Sequence, residues 1–169
     1  MDMYCDKIGI GELSPELLTH ANINPSTGLA TDYLNHFNEV IMLLEMLPDI
    51  PDCAEDVLAW EPADYTTHFR ASKFSEKELA IRAYGAVEER LRMALETCIA
   101  EIDQEVIALQ KMLGGGEIAG ELLHLVQDKA VSIIRPLLSQ AGSIIHGHIP
   151  EETAGLEDNT QADVDALFS

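Results

Sequence analysis

The sequence predicts an all-α fold: an antiparallel helical bundle built on a long helical hairpin, with short accessory helices. Apolar residues make up 47% of the 169 residues, but aromatic residues only 5%, so the core must be aliphatic. Such a core suits helices better than sheets, which favour aromatic and β-branched residues. Apolar side chains also recur at spacings of three and four residues along most of the chain. A chain of 169 residues is long enough for one domain with a substantial core.

The first helix has a clear start signal. Ser14 can accept a backbone hydrogen bond as the N-cap, and Pro15 suits the first helical position because its missing N–H needs no partner there. We expect this helix to end near His20, followed by a break over residues 22–25.

A longer second helix is expected to begin with Ser26 or Thr27 as its cap. It should end near Leu47, because Pro48 cannot continue it. Its predicted buried stripe is Ala30, Tyr33, Leu34, Phe37, Val40, Ile41, Leu44 and Leu47.

The next segment, residues 48–74, is rich in prolines and acids. It predicts two short helices, over 52–60 and 62–71. These hold Trp60, Tyr65 and Phe69, so we expect the segment to pack over the main bundle.

The predicted hairpin follows. Ser75 and Glu78 form a capping-box pattern that should open one unbroken helix to about Leu113, with Cys98 on its apolar stripe as a packing residue. The glycines 114–116 should end it and allow a reversal.

The second arm of the hairpin is predicted over residues 117–145. It is apolar on more than one face, which suits a central helix or a contact between two subunits, and we expect a homodimer. Pro136 should disturb this helix near Ser132, since a proline loses the bond to the fourth preceding carbonyl.

Three units are therefore expected: a helical bundle domain over 1–146, an acidic flexible linker over 147–159, and an amphipathic docking helix over 160–169. A helix as short as the last is marginal in isolation, so its apolar face is best explained by burial against a partner. The residues predicted to bind that partner are Val164, Asp165, Leu167 and Phe168.

The net charge of the chain limits the kinds of partner that it is expected to bind. The chain has 30 acidic and 10 basic residues, a formal charge of −20. Nucleic acid and anionic membranes would be repelled, whereas basic protein surfaces and cations would be attracted.

The chain offers no signal for export or a cofactor. Its three cysteines form no C-x-x-C pair, and its start has no apolar signal-peptide core. No apolar run reaches the length of a membrane span. We therefore expect a cytoplasmic protein without a cofactor.

One pattern resembles a metal site. Glu121 and His124 share a helix face with the Glu-x-x-His spacing of ferritin-like bundles, and His36 and Glu39 also share a face. Such bundles use two Glu-x-x-His pairs and this chain has one. We expect no metal, with His36 and His124 partly buried and hydrogen-bonded, and keep a metal-binding bundle as an alternative.

The segment 160–168, TQADVDALF, resembles the docking peptides of bacterial chemotaxis and flagellar proteins. These are the amino-terminal peptide of the flagellar switch protein FliM and the carboxy-terminal helix of the phosphatase CheZ. Both dock on the receiver domain of CheY. The resemblance implies that this segment docks on a CheY-like response-regulator receiver.

The order of hairpin, acidic linker and docking helix is also similar to that of CheZ proteins, which form a dimeric four-helix bundle. Their catalytic helix carries Gln-Asp and, four residues later, a Gln that positions water. The nearest match here is Gln127-Asp128, but Ser132 stands where the family has Gln. A divergent receiver phosphatase using Asp128 is therefore an alternative.

A second resemblance concerns residues 26–51, which look like short uncharacterised helical proteins of alphaproteobacteria and imply no activity. The leading hypothesis is a non-enzymatic, regulatory interaction protein that docks through residues 160–169.

Overall fold

The computed structural model describes residues 7–115 and 119–149 of the chain. Across these ranges the secondary structure is helical, without strands, which confirms the all-α class. The α-helices there are α1 (Pro15–His20), α2 (Asn35–Met46), α3 (Cys53–Ala59), α4 (Tyr65–Ala71), α5 (Lys77–Tyr84), α6 (Glu89–Gly114), α7 (Gly120–Lys129) and α8 (Arg135–Ile145). Two 3₁₀ turns, Gly11–Leu13 and Thr31–Leu34, and a π-helical turn, Ala130–Ile134, complete the description.

The core lies mainly between α6 and α8, with α2 packed against α7 and the π turn. It is aliphatic, as predicted, and its fully covered members include Leu44, Ile102, Val106, Ile134 and Ile144. Cys98 belongs to it: the thiol donates to the carbonyl of Leu137 at 3.2 Å, and burial raises its pKa to about 12. Cys98 is thus a packing residue, as its position on the apolar stripe predicted.

Helix α1 begins and ends as predicted. The Ser14 hydroxyl accepts from the backbone N–H of Leu17, and Pro15 occupies the first position. Asn22 ends the helix with a φ of 64°, and the N–H of Ile23 donates to the carbonyl of Leu18 at 2.8 Å. Since Leu18 and Ile23 are both buried, this helix end carries the apolar contact typical of a Schellman motif.

The prediction for the start of the second helix is wrong. Asn24 uses its side-chain oxygen to accept the N–H groups of Ser26, at 2.8 Å, and Thr27, at 3.1 Å. Gly28 then adopts a φ of +83°, which a side chain would strain. These residues therefore form a loop, and the helical turns begin only at Thr31. The predicted end and buried stripe of this helix are confirmed.

Thr27 is buried in this loop and joins it to the far end of the chain. Its hydroxyl donates to the carbonyl of Ile145, at the end of α8, at 2.7 Å. The same oxygen accepts the N–H of Leu29 at 3.2 Å. One small side chain therefore satisfies two buried backbone groups.

The predicted single helix from Ser75 to Leu113 is wrong: the chain turns between Gly85 and Glu88 and separates α5 from α6. The predicted capping box is also wrong, because α5 begins after Glu76 without a side-chain cap. The turn lets α5 pack on α4 while α6 runs along α8. Tyr84 and Val87 both stay in contact with the core, so the periodic pattern did not reveal the turn.

The second arm of the hairpin is confirmed as helical between Gly120 and Ile145, and it contains the disturbance that Pro136 predicts. The disturbance is the π-helical turn, in which the Ser132 hydroxyl donates to the carbonyl of Asp128 at 2.7 Å. A π turn at this point follows from the steric clash of a proline with the fourth preceding carbonyl.

The two accessory helices are confirmed as α3 and α4, and the rings of Trp60, Tyr65 and Phe69 are buried as predicted. No helix within residues 7–115 and 119–149 has the length and apolar character needed to cross a bilayer.

We predict that Thr27→Val destabilises the fold by about 1–3 kcal/mol, because the variant keeps the side-chain shape but leaves buried backbone groups without a partner. Urea unfolding followed by circular dichroism measures this change. Thr67→Val, on an exposed position of α4, is the matched control and should change stability much less. Equal stabilities of the two variants would contradict the role assigned to the Thr27 hydroxyl.

Candidate functional site

A cavity of about 270 Å³ lies beside the middle of α6, where three tyrosines and three acids meet. Its walls come from the 3₁₀ turn before α2, the start of α4, the end of α5, and α6. The lining side chains are Tyr33, Pro62, Ala63, Asp64, Tyr65, Tyr84, Leu95, Glu96, Ile99, Ala100 and Asp103.

The tyrosines form one contiguous aromatic group. Tyr65 stacks on Tyr84 with ring centres 4.3 Å apart and planes at 12°. Tyr33 meets Tyr65 edge-on, with ring centres 5.1 Å apart. Edge-on and stacked ring pairs of this kind add stabilising energy to that gained from burial, and they favour defined ring orientations.

Each tyrosine oxygen also has a defined partner. Tyr33 donates to the carbonyl of Ala63 at 2.7 Å, and Tyr84 donates to the Glu96 carboxylate at 2.5 Å. Tyr65 accepts the N–H of Ala30 at 2.8 Å. Burial raises the pKa of all three phenols, so they stay protonated at neutral pH.

Asp103 is the unusual group of the cavity. One of its carboxylate oxygens is buried and has no hydrogen-bond partner among the residues described. Burial raises the pKa of Asp103 to about 6, and its charge adds to the rise in the pKa of Tyr33. A buried acceptor without a partner is costly, and such groups are common at binding sites.

Sequence reasoning missed this cavity because it assigned the aromatic rings to packing and assumed one helix through Gly85. The turn at that residue brings Tyr84 onto Tyr65. A signal was present in α6, where Asp103 interrupts a face whose neighbours Ile99 and Val106 are buried.

The predicted candidate His36 is half-buried and structural. Its ring contacts Trp60 at 4.8 Å between centres and hydrogen-bonds the carbonyl of Glu61 at 2.7 Å. Burial lowers the pKa of His36, which keeps the ring neutral. Nearby, His68 pairs with Asp32 at 3.1 Å, a partnership that the sequence did not indicate.

The other three metal candidates lie on exposed positions. Glu39 lines an open groove with Met42 and Asp56, and Glu121 and His124 face solvent on α7. The expectation of a partly buried His124 is therefore wrong. Helix α7 buries Leu123 and Val126 and leaves His124 exposed to solvent. Within the two described ranges, no group of three or more His, Cys, Asp or Glu side chains is arranged to hold a metal ion.

Asp128, the candidate for a phosphatase, is exposed near the end of α7. Ser132 uses its hydroxyl to bond back to the carbonyl of Asp128. The predicted partner-binding residues Val164, Asp165, Leu167 and Phe168 lie outside the described residues.

Comparison of the chain with protein-family models, with curated proteins and with solved structures finds no match.

We predict that Asp103→Asn stabilises the protein relative to the wild type more at high pH than at low pH. The pKa of Asp103 in the fold, about 6, lies above its ordinary value of 3.8, so the native state holds the proton more tightly than the unfolded chain does. Stability contributed by the protonated group is therefore present at about pH 4 and lost as the pH rises through about 6.

The measurement is urea unfolding of both proteins at about pH 4 and pH 8, chosen to bracket the titration. Glu101→Gln removes one negative charge from an exposed position of the same helix and serves as the control. A pH-dependent gain of the same size in Glu101→Gln would contradict the assignment to Asp103.

Proposed function

We propose that this protein is a cytoplasmic, non-enzymatic interaction protein that docks on a response-regulator receiver domain through residues 160–169. The observation that carries the proposal is the spacing of Val164, Leu167 and Phe168, which would share one face of a helix and which follow an acidic run with little core-forming content. A short amphipathic helix gains stability when its apolar face enters a groove on a partner.

The end of α8 supports a separate segment after the domain. Gly147 has a φ of +99°, and its N–H donates to the carbonyl of Ile144 at 2.8 Å. The N–H of His148 donates to the carbonyl of Ser143 at 2.9 Å. This is the complete hydrogen-bond pattern of a Schellman motif, which closes a helix and redirects the chain. The helix therefore stops where the predicted linker begins.

The charge of the segment indicates the character of its partner. Residues 151–169 contain six acids and no base, so a groove bordered by lysine or arginine would be attracted to it. Long-range attraction of this kind raises the association rate and weakens as salt is added.

We predict that the double variant Leu167→Ala/Phe168→Ala binds a receiver domain at least about tenfold more weakly, because buried anchor residues dominate the affinity of such helices. Isothermal titration against the receiver domains of the source organism measures the dissociation constants. Ser169→Ala, at a position that helical spacing places away from Val164, Leu167 and Phe168, is the control and should bind like the wild type. Equal affinity of the double variant and the wild type would remove the proposal.

A homodimer is the second part of the proposal. Leu125 of α7 and Val131 of the π turn are about half-exposed, which leaves apolar surface on the second arm of the hairpin. Burying such surface between two copies is favourable.

We expect Val131→Glu to convert the dimer to a monomer, because a charge would have to be desolvated in the contact. Light scattering after size-exclusion chromatography gives the mass. Gln104→Glu makes the same change in charge at an exposed position of α6 and should leave the mass unchanged. A monomeric wild type across the accessible concentration range would disprove the dimer.

A further inference from the structure

We propose that the tyrosine-lined cavity beside α6 binds a small protonated alkylamine, with the ammonium group held by Asp103. This site is independent of the docking segment, because its walls lie entirely between Tyr33 and Asp103.

The charge of the lining excludes anions. Asp64, Glu96 and Asp103 contribute carboxyl groups, and no Lys, Arg or His side chain is among the residues that line the cavity. The chain as a whole carries 20 more acids than bases, which raises the local concentration of cations around it. A cationic ligand is therefore attracted, and it would favour the ionised form of Asp103.

The hydrogen bonds of the lining specify a donor. The hydroxyl protons of Tyr33 and Tyr84 are already directed to Ala63 and Glu96. The buried oxygen of Asp103 has no donor among the residues described. A ligand that brings its own N–H group can donate to the Asp103 carboxylate, which lines the cavity, in a charge-assisted hydrogen bond, whereas a quaternary ammonium ion or a neutral ether cannot.

The rest of the lining suits a short hydrocarbon. Pro62, Leu95 and Ile99 present aliphatic carbon, and the tyrosine rings add aromatic surface that also attracts cations. Most of the surface exposed inside the cavity is apolar. A few polar groups in an otherwise apolar pocket are the usual composition of a small-molecule site.

The experiment is a titration of ¹⁵N-labelled full-length protein with n-butylammonium, followed by amide chemical shifts. We expect saturable shifts in α6 and α5 that report one site. 1-Butanol, which lacks the charge, and butyltrimethylammonium, which lacks the N–H, should each bind at least about tenfold more weakly because neither forms the charge-assisted bond.

Two variants test the position of the site. Asp103→Asn should weaken n-butylammonium binding at least about tenfold, since it removes the charge from the hydrogen bond. Ala100→Leu should weaken binding too, because the larger side chain fills the cavity while Asp103 remains. Glu101→Gln, which removes one charge outside the cavity, should bind like the wild type.

Three outcomes would overturn the proposal. The first is the absence of saturable shifts at millimolar n-butylammonium. The second is equal weakening in Glu101→Gln and Asp103→Asn, which would show general attraction to an acidic protein. The third is tight binding of butyltrimethylammonium, which would show that Asp103 accepts no hydrogen bond from the ligand.

Discussion

The buried hydrogen bond from Thr27 to the carbonyl of Ile145 holds the N-terminal loop against the end of the last described helix. That loop continues directly into the cavity, because the N–H of Ala30 donates to the hydroxyl of Tyr65. Tyr33 follows in the 3₁₀ turn and contributes the next wall. The position of the aromatic group thus depends on a contact between residues far apart in the chain, made by a single hydroxyl.

Polar side chains of the described domain are paired between helices as well, including some that are partly exposed. Arg135 forms a paired contact with the Glu45 carboxylate, which joins α8 to α2 and lowers the pKa of Glu45. Gln127 donates to the carbonyl of the same residue at 2.8 Å. Since polar side chains of the described residues usually have hydrogen-bond partners, the Asp103 oxygen that has none among those residues is an exception.

The accuracy of the sequence predictions differed between local and tertiary features. The all-α class, the cap at Ser14, the disturbance caused by Pro136 and the buried stripe of α2 follow from local rules, and all are confirmed. The turn at Gly85 was missed because Tyr84 and Val87 keep apolar spacing across it. The cavity was missed for the same reason, since tertiary contacts decide whether a tyrosine packs in a core or lines a pocket.

The π turn over Ala130–Ile134 has a consequence for the evolution of this chain. Such a turn accommodates one residue more than an α-helical turn, and each added residue rotates everything after it by about 100°. Leu138, Ala141 and Ile144 are buried on α8, which packs mainly on α6, and the extra residue sets the direction in which they point. Deletion of a single amino acid here would swing that apolar row toward water, so homologous chains should tolerate substitutions in this stretch far better than changes in its length.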